Sequence, residues 1–468
     1  MDIKKKISKI FKSKVATAGI GYTIGNLLIK GIAFLSTPIF SRMMTTTQYG
    51  IVSGYIAYET YLVIAIGVLF YNSVKSAKYE LNEDFDKYIS NLVCLIWINT
   101  LVAGIIAYLI KDVLTNLTGF PFAIIVLLLL NAAGTSIIYI YNAYMSLKYE
   151  YKKYISIALF NAIGNFAVSI LLMKTICFSN LEVGRILGYG LPVICIEIYI
   201  TVFFIKKSMP VFKKELIKYA YRYCIPLIPY GLADATLGQF SRLVIKQLSG
   251  NAGLGIYSLA YSVYSIIGVV RLSLDNVWGT WFFEKYSEKD YQSIKVRSAQ
   301  YMWGLTGFTL FIMLISPEIV RILGDKSYFE AIYSVIPLVA ASFFVFMLSI
   351  PIQTEYFHGR TSVISFGMVI VAVLNICMTY VFVSLAGYVA AAFCTLFSYI
   401  LLSIYHFVVA SKLTGKFIFD KKSVLGSSIT VLVFVVFNYF IIENLILRYS
   451  IVIALSVFTI LLIKKNIN

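Results

Sequence analysis

The chain has little charge and few long polar segments, and both shortages restrict what it can be. Of its 468 residues, 13% are charged and 60% are hydrophobic, with a mean hydropathy of +0.84. That balance lies far outside the range of soluble globular domains. No segment between the apolar stretches is longer than about 20 residues, whereas a separate domain needs about 50 or more. We therefore expect a membrane protein without a separate catalytic domain.

Several chemical signatures are also missing. The six cysteines are scattered through apolar segments without paired spacing, so we expect neither a zinc site nor a disulfide framework. The two histidines, His358 and His406, have no ligand-like neighbours, and we expect them in a loop or in helix packing. No G-x-x-x-x-G-K-[ST] motif occurs, so we do not expect ATP hydrolysis of the P-loop type. We predict a protein that is not an enzyme and needs no cofactor.

About fourteen apolar stretches are long enough to cross the hydrocarbon core of a bilayer, which takes about 20 residues of helix. They lie near residues 15–40, 50–70, 88–110, 120–146, 154–174, 183–205, 224–247, 252–275, 298–316, 331–350, 361–383, 387–410, 423–442 and 447–463. The sequence therefore predicts an all-α polytopic membrane protein with about 14 transmembrane helices.

The positive charges favour one side of this arrangement. Of the 40 Lys and Arg residues, 29 fall in the N-terminal segment and in the loops on its side of the membrane, 8 fall in the loops on the opposite side, and 3 lie within spans. We place Arg185 among the 8 in the opposite loops. Cytoplasmic loops carry the excess of Lys and Arg, so we predict both chain ends in the cytoplasm. Because the net charge of +18 is spread over short loops, it favours anionic membrane lipids over nucleic acid as a partner.

A short motif recurs after 205 residues. Residues 50–53 (GIVS) open the second span and residues 255–258 (GIYS) open the eighth, each following a cation, Arg42 or Lys246, by eight or nine positions. Many transporters are built from two related bundles. We predict four segments: an N-terminal six-helix lobe over 1–205, a cytoplasmic linker over 206–222, a C-terminal six-helix lobe over 223–410 and two additional helices over 411–468.

Lys30 stands near the middle of the first span. Insertion scales put the cost of an ammonium group there at about 3 kcal/mol, so such a residue usually faces a protein interior or a watery cavity. The polar residues of this span follow helical spacing and share one face of the helix. They are Thr23, Asn26, Lys30, Thr37 and Ser41. We predict that this face binds an anionic ligand, with Lys30 and Asn26 in contact with it.

Other charged residues lie within the spans or at their ends. Those that are candidates for binding a phosphate or carboxylate are Arg42, Arg242, Lys246 and Arg271. Those that are candidates for taking up a coupling proton or sodium ion are Glu59, Glu197, Asp234 and Asp275. Two alternatives stay open. The groups can pair and hold helices together, as Arg271 and Asp275 would at i, i+4 spacing, or the cations near the interfaces can extend to water.

Several short motifs follow the basic N-terminal segment. They are Lys30-Gly31, Pro38, Arg42, Gln48-Tyr49-Gly50, then residues 223–229 (YCIPLIP), Arg242, Gly250, residues 255–258, Leu323-Gly324 and Ile336-Pro337. In these motifs, and loosely over its whole length, the chain resembles polysaccharide-biosynthesis flippases of the Wzx type. That group is the polysaccharide transporter family of the multidrug/oligosaccharidyl-lipid/polysaccharide exporter superfamily.

The resemblance implies two six-helix lobes around a central cavity, with two further C-terminal helices that would form a groove for a lipid tail, as in the related lipid II flippases. It implies an undecaprenyl-diphosphate-linked oligosaccharide as substrate, turned over from the cytoplasmic to the outer leaflet of a bacterial cytoplasmic membrane by alternating access. The cavity cations that would meet the diphosphate or acidic sugars are Lys30, Arg42, Arg242 and Arg271. A polysaccharide polymerase and its assembly machinery would be partners.

Three other functions remain as alternatives. An ion-coupled drug or metabolite antiporter of the same superfamily would need a smaller and more acidic cavity, which the excess of intramembrane cations argues against. A membrane polysaccharide polymerase or ligase would be expected to carry a large outer loop with reactive residues. A non-transporting scaffold of a glycan assembly complex would leave Lys30 and Arg242 unexplained.

Overall fold

The computed structural model describes residues 14–454, except for the side chains at 14–20, 22–24, 26–27, 266, 269–273 and 276. Over this range the ordered elements are helices, and no β-strand occurs. Lipid cannot form hydrogen bonds to the backbone, and an α-helix satisfies its backbone groups internally. The predicted all-α class is confirmed.

The first half of the chain contains ten α-helices. They are α1 (Lys14–Met43), α2 (Thr46–Gly67), α3 (Val74–Glu80), α4 (Phe85–Leu109), α5 (Lys111–Thr118), α6 (Phe122–Leu147), α7 (Tyr151–Lys174), α8 (Leu181–Lys207), α9 (Lys214–Cys224) and α10 (Ile228–Ala235). The second half follows after a π-helical segment, Thr236–Phe240. It contains α11 (Ser241–Ser287), α12 (Tyr291–Leu314), α13 (Ser316–Leu323), α14 (Ala331–Phe357), α15 (Thr361–Ala386), α16 (Tyr388–Thr414), α17 (Lys421–Ile441) and α18 (Leu445–Ala454).

Within the described range, nine helices are long and apolar enough to cross a membrane, or ten if α12 and α13, bent by 56°, form one span. The nine helices coincide with the second to sixth and the tenth to thirteenth predicted stretches. The bent pair coincides with the ninth. The predicted last stretch, 447–463, begins in α18 and extends beyond the described residues. The total of fourteen and the orientation stay predictions.

The seventh and eighth predicted stretches differ from the structure. The sequence predicts two helices, 224–247 and 252–275, whereas α11 runs from Ser241 to Ser287 with a single break at Gly250. Gly250 has φ 73° and ψ 178°, a backbone conformation that glycine adopts without a steric penalty. Two helical segments of α11 thus meet at a kink at Gly250, between the predicted seventh and eighth stretches, and the second segment extends to Ser287 rather than to residue 275.

The chain folds into two compact units. The N-terminal unit comprises the residues up to Ser36 and Gly54–Ala235, and the C-terminal unit comprises Thr37–Ser53 and the residues from Thr236 onward. The predicted lobes divide the chain differently, at 206–222, and that assignment stays a prediction. Within the C-terminal unit, α14 is the central helix. It packs against α11 and α16, and 89% of its most apolar 18-residue segment is buried.

The two copies of the repeated motif meet in the C-terminal unit, where α2 crosses α11. A Cβ atom added to Gly50 would lie 1.8 Å from the backbone oxygen of Asn251, and one added to Gly255 would lie 1.9 Å from that of Thr46. Each glycine therefore faces the carbonyl four residues before the other. Small residues such as these glycines let the backbones of two membrane helices approach each other closely. The recurrence in the sequence corresponds to a reciprocal helix contact in the fold.

We predict that Gly50→Ala and Gly255→Ala each lower the apparent unfolding temperature of the purified protein. The added methyl group overlaps backbone, which cannot rotate away, and overpacking of this kind costs about 1–3 kcal/mol or more. Gly304→Ala is the matched control, because nothing lies within 4 Å of its added Cβ. Alanine in a helix interior is otherwise favoured by about 0.5–1 kcal/mol over glycine. Equal melting of the Gly50 variant and the control would contradict a tight crossing.

An ion pair between buried Arg448 and partly buried Glu318 attaches α18 to the bent segment of the C-terminal unit. Arg448, which is 2% exposed, donates from Nη1 and Nη2 to the two carboxylate oxygens of Glu318 at 2.7 and 2.8 Å. Its Nη1 also donates to the backbone oxygen of Leu314 at 2.6 Å, where α12 ends. A bidentate guanidinium–carboxylate contact fixes both position and orientation.

Removing one partner of this pair should destabilise the protein strongly, because the other charge is left buried. We expect Glu318→Gln to cost about 3–5 kcal/mol. The double variant Glu318→Leu/Arg448→Met, which removes both charges, should unfold at a higher temperature than Glu318→Gln. Thermal unfolding in detergent or nanodiscs measures the difference, and a double variant less stable than the single one would refute the argument.

Candidate functional site

Arg242 is held near the start of α11 by neutral groups. Its Nη1 donates to Oε1 of Gln239 at 2.7 Å, and its guanidinium lies 4.3 Å from the ring centre of Tyr261. The side chain is partly buried, and its Nε is buried without a hydrogen-bond acceptor. Among the side chains that the structure describes, no carboxylate forms an ion pair with Arg242. Neutral groups therefore hold this guanidinium, and its Nε is left without an acceptor among the described residues.

Arg42 has a structural role in the C-terminal unit. Its Nη2 donates to the backbone oxygen of Ile322 at 2.8 Å and its Nη1 to that of Pro38 at 3.3 Å. The neighbouring Ser41 is fully buried and donates to the backbone oxygen of Leu323. The last carbonyls of a helix lack partners within the helix and favour a nearby cation. Arg42 and Ser41 thus cap the C-terminus of α13.

The other predicted ligand-binding residues are distributed along two helices. Lys30 is exposed on α1 in the N-terminal unit, and Lys246 is half-buried on α11 in the C-terminal unit. The side chains of Asn26 and Arg271 lie outside the described residues. Their predicted roles stay predictions, as does the pairing of Arg271 with Asp275.

Two of the predicted coupling residues are at the helix surfaces. Asp234 is exposed on α10 in the N-terminal unit. Asp275 is half-buried on α11 and accepts a hydrogen bond of 2.6 Å from Oγ of Ser349 on α14. That contact ties α11 to the central helix of the C-terminal unit.

Glu59 is the centre of a buried polar network in the N-terminal unit. It is 3% exposed, and its two carboxylate oxygens accept hydrogen bonds from Oγ1 of Thr135 at 2.9 Å and from the hydroxyl of Tyr189 at 2.6 Å. One turn earlier on α6, Nδ2 of Asn131 donates to the hydroxyl of Tyr55 at 2.5 Å. The network links α2, α6 and α8 through an acidic group that lies away from water.

Glu197 on α8 approaches the same stretch of α6. It is fully buried, and neither carboxylate oxygen has a hydrogen-bond partner among the described residues. A Cβ atom added to Gly134 would lie 3.1 Å from its Oε2. Buried acids are normally hydrogen-bonded or paired. Two predicted coupling residues, Glu59 and Glu197, thus flank the neighbouring residues Gly134 and Thr135.

The sequence analysis missed two polar sites. His406 and Glu355 are both fully buried in the C-terminal unit, and Nδ1 of the histidine lies 2.6 Å from Oε1 of the glutamate. Arg185 lies within α8 rather than in an outer loop, so its loop assignment was wrong, and it donates to Asn165 at 2.6 Å. A signal existed for the second site, because Asn161 and Asn165 stand four residues apart on α7 and share one face.

Comparison with protein families gives a match to a model described as polysaccharide biosynthesis protein, over residues 16–278. The match covers more than half of the chain. The chain belongs to this polysaccharide biosynthesis family. It is a multi-pass membrane protein, and the resemblance predicted from its short motifs is confirmed. No curated protein matches the chain significantly.

Solved structures of flippases and transporters share the fold of this polysaccharide biosynthesis family member. Lipid II flippase MurJ in an inward closed conformation has a TM-score of 0.76 at 14% identity, covering 96% of this chain and all of that chain. An inward-facing multidrug resistance MATE family transporter of the MOP superfamily has 0.66 at 13%, covering 84% and 98%. A MOP superfamily transporter from Pyrococcus furiosus has 0.55 at 13%, covering 86% and 98%. At these identities the likeness shows the fold.

We predict opposite effects on stability when the two buried acids are replaced by methionine. Glu197→Met removes a buried carboxyl group that accepts no hydrogen bond from the described residues, so the apparent unfolding temperature should rise by the equivalent of about 1–3 kcal/mol. Glu59→Met is the control and should lower it, because Thr135 and Tyr189 lose their acceptors. If Glu197→Met destabilises the protein as much as Glu59→Met, the Glu197 carboxyl group is engaged in a favourable contact.

Proposed function

We propose that the protein is a flippase for an undecaprenyl-diphosphate-linked oligosaccharide. It moves this lipid from the cytoplasmic to the outer leaflet of a bacterial cytoplasmic membrane, by alternating access, for assembly of a cell-surface polysaccharide such as a capsule or O-antigen. The observation that carries the proposal is Arg242, a cation of the predicted seventh span without a described carboxylate partner, in a chain of the polysaccharide biosynthesis family.

The chemistry of the substrate fits this cation. A diphosphate or acidic sugar loses hydration when it enters the membrane, and a guanidinium group replaces the lost water with charge-assisted hydrogen bonds. The low local dielectric strengthens the attraction. Gln239 and Tyr261 hold the guanidinium without neutralising it, which leaves its charge available for a ligand. Release requires that the affinity differ between inward-facing and outward-facing states.

Coupling to a proton or sodium gradient would use Glu59 and Glu197. Intramembrane acids commonly form ion-binding or proton-relay sites in transporters. Glu197 has unused acceptors and Glu59 has two hydrogen-bond donors in contact, so a change in the protonation of either acid would alter the packing of α6. Membrane lipids, a polysaccharide polymerase and its assembly machinery are the expected partners.

An ion-coupled antiporter is the second candidate, because the fold is also that of the MATE transporters. An antiporter of this kind would need a smaller and more acidic cavity, so the cation Arg242 favours the flippase.

The test is leaflet-resolved measurement of the lipid-linked oligosaccharide in cells that lack the protein. Complementation with wild type should clear the intermediate from the cytoplasmic leaflet. Arg242→Gln should slow clearance by about tenfold, the loss expected for one hydrogen bond to a charged group. Arg242→Lys should lie between the two. Arg360→Gln, at an exposed arginine of the same unit, is the matched control and should clear the lipid normally.

Expression and unfolding temperature of each variant are measured in parallel, so that a folding defect is recognised. If the oligosaccharide reaches the outer leaflet equally well without the protein, the flippase assignment is wrong and the antiporter becomes the better hypothesis. If wild type is required but Arg242→Gln is fully active, the flippase assignment stands and Arg242 is not the ligand-binding cation.

A further inference from the structure

An open groove of about 480 Å³ lies between α12 and the start of α17 in the C-terminal unit. The wall from α12 includes Lys295, Val296, Ala299 and Trp303, which follow helical spacing along one face. The opposite wall includes Asp420, directly before α17. The groove is therefore charged at the end where both helices begin and becomes apolar along α12.

Lys295 is held loosely at the charged end of the groove. Its Nζ lies 3.7 Å from Oδ1 of Asp420, which is longer than a direct hydrogen bond, and its side chain is 51% exposed. Asp420 already caps α17, because its Oδ2 accepts hydrogen bonds from the backbone nitrogen and Oγ of Ser423 at 2.8 and 2.7 Å. Exposed pairs of this kind contribute little stability. The ammonium group can therefore turn to another anion at small cost.

Two further lysines lie where α12 and α17 begin. Nζ of Lys416 is 4.0 Å from the ring centre of Tyr291, the first residue of α12. Lys421 is the first residue of α17, and its Nζ is 5.6 Å from the ring centre of Phe417. Neither lysine forms an ion pair with a carboxylate in the described part of the chain. Because aromatic rings hold a cation without cancelling its charge, this end stays positive.

Trp303 marks the apolar end of the groove. Its indole packs on α17, since a Cβ atom added to Gly426 would lie 3.3 Å from Cζ2 of the ring, yet the residue is 47% exposed. Eight residues of helix separate it from Lys295, about 12 Å along the axis. Lys295 precedes the predicted ninth stretch, 298–316, and Trp303 lies within it. Tryptophan favours the boundary between headgroups and hydrocarbon.

We propose that this groove binds one anionic phospholipid of the surrounding bilayer, with the lipid phosphate at Lys295 and an acyl chain along Val296, Ala299 and Trp303. The order of cation, indole and apolar wall matches that of headgroup, glycerol and chain in the lipid. Basic pockets beside membrane helices bind anionic headgroups through the same attraction. The positive charge favours an anionic over a zwitterionic headgroup. The inference does not depend on which substrate the protein transports.

Quenching of tryptophan fluorescence by lipids with brominated acyl chains tests the site. The full-length protein is placed in phosphatidylcholine nanodiscs that contain rising fractions of brominated phosphatidylglycerol or brominated phosphatidylcholine. Three other tryptophans are present, so the Trp303 signal is the difference between wild type and Trp303→Phe. The phosphatidylglycerol should bind about fivefold more tightly than the phosphatidylcholine. Because the attraction is electrostatic, this preference should fall as salt is added.

Three variants, each compared with its own Trp303→Phe background, separate the charges at the groove. Lys295→Gln should lower the preference for phosphatidylglycerol by about fivefold. Asp420→Asn should raise it, because asparagine keeps the helix cap and removes the negative charge. Lys326→Gln is the control and should behave like wild type, since this exposed lysine lies between α13 and α14, beyond the opposite end of α12.

Unfolding temperatures are measured in parallel. If Lys295→Gln unfolds below wild type, Asp420→Asn provides the test, because a folding defect would not increase the preference. Equal quenching of Trp303 by the two lipids overturns the proposal, as does an unchanged preference in both Lys295→Gln and Asp420→Asn. Inorganic phosphate at the concentration of the brominated phosphatidylglycerol should leave the quenching unchanged. Displacement of the lipid by phosphate would identify a site for free phosphate and overturn the lipid assignment.

Discussion

The cost of placing a charged or amide group in hydrocarbon is the constraint on which this structure depends. Most of the described polar groups within the helices meet that cost by pairing. Arg448 and Glu318 form a bidentate contact, Glu355 and His406 lie within hydrogen-bond distance, and Glu59 accepts two hydrogen bonds. Each of these contacts joins different helices. Polar pairing therefore helps to specify which helices are neighbours, since apolar side chains alone would fit many arrangements in lipid.

A few groups depart from this pattern, and they carry the functional argument. The charge of Arg242 and the carboxyl group of Glu197 have no compensating partner among the described side chains. Packing does not explain them, because an apolar residue of similar size would be less costly at each position. In the proposed function, a sugar-bearing anion and a coupling ion would supply the missing contacts, and the two roles would fall on different residues of the chain.

At the crossing of α2 and α11, the two copies of the repeated motif are in direct contact. Gly50 and Gly255 occur in matching motifs, and in the fold each faces the carbonyl four residues before the other. A reciprocal contact of this type demands the same small residue from both helices. One steric reason therefore accounts for the glycine in both copies of the motif, and the sequence repeat alone did not indicate it.

The sequence by itself determined the helical membrane class, the position of most spans and the family, because apolar length and short motifs are local properties. It also identified Glu59, Glu197 and Arg242 as costly groups. Only the tertiary structure decided which costs are compensated: Arg42 caps α13, Glu59 accepts hydrogen bonds from Thr135 and Tyr189, and Glu197 accepts none from the described residues. It also moved Arg185 from a loop into α8. Partners distant in the chain cannot be inferred from spacing, since they meet only when helices pack.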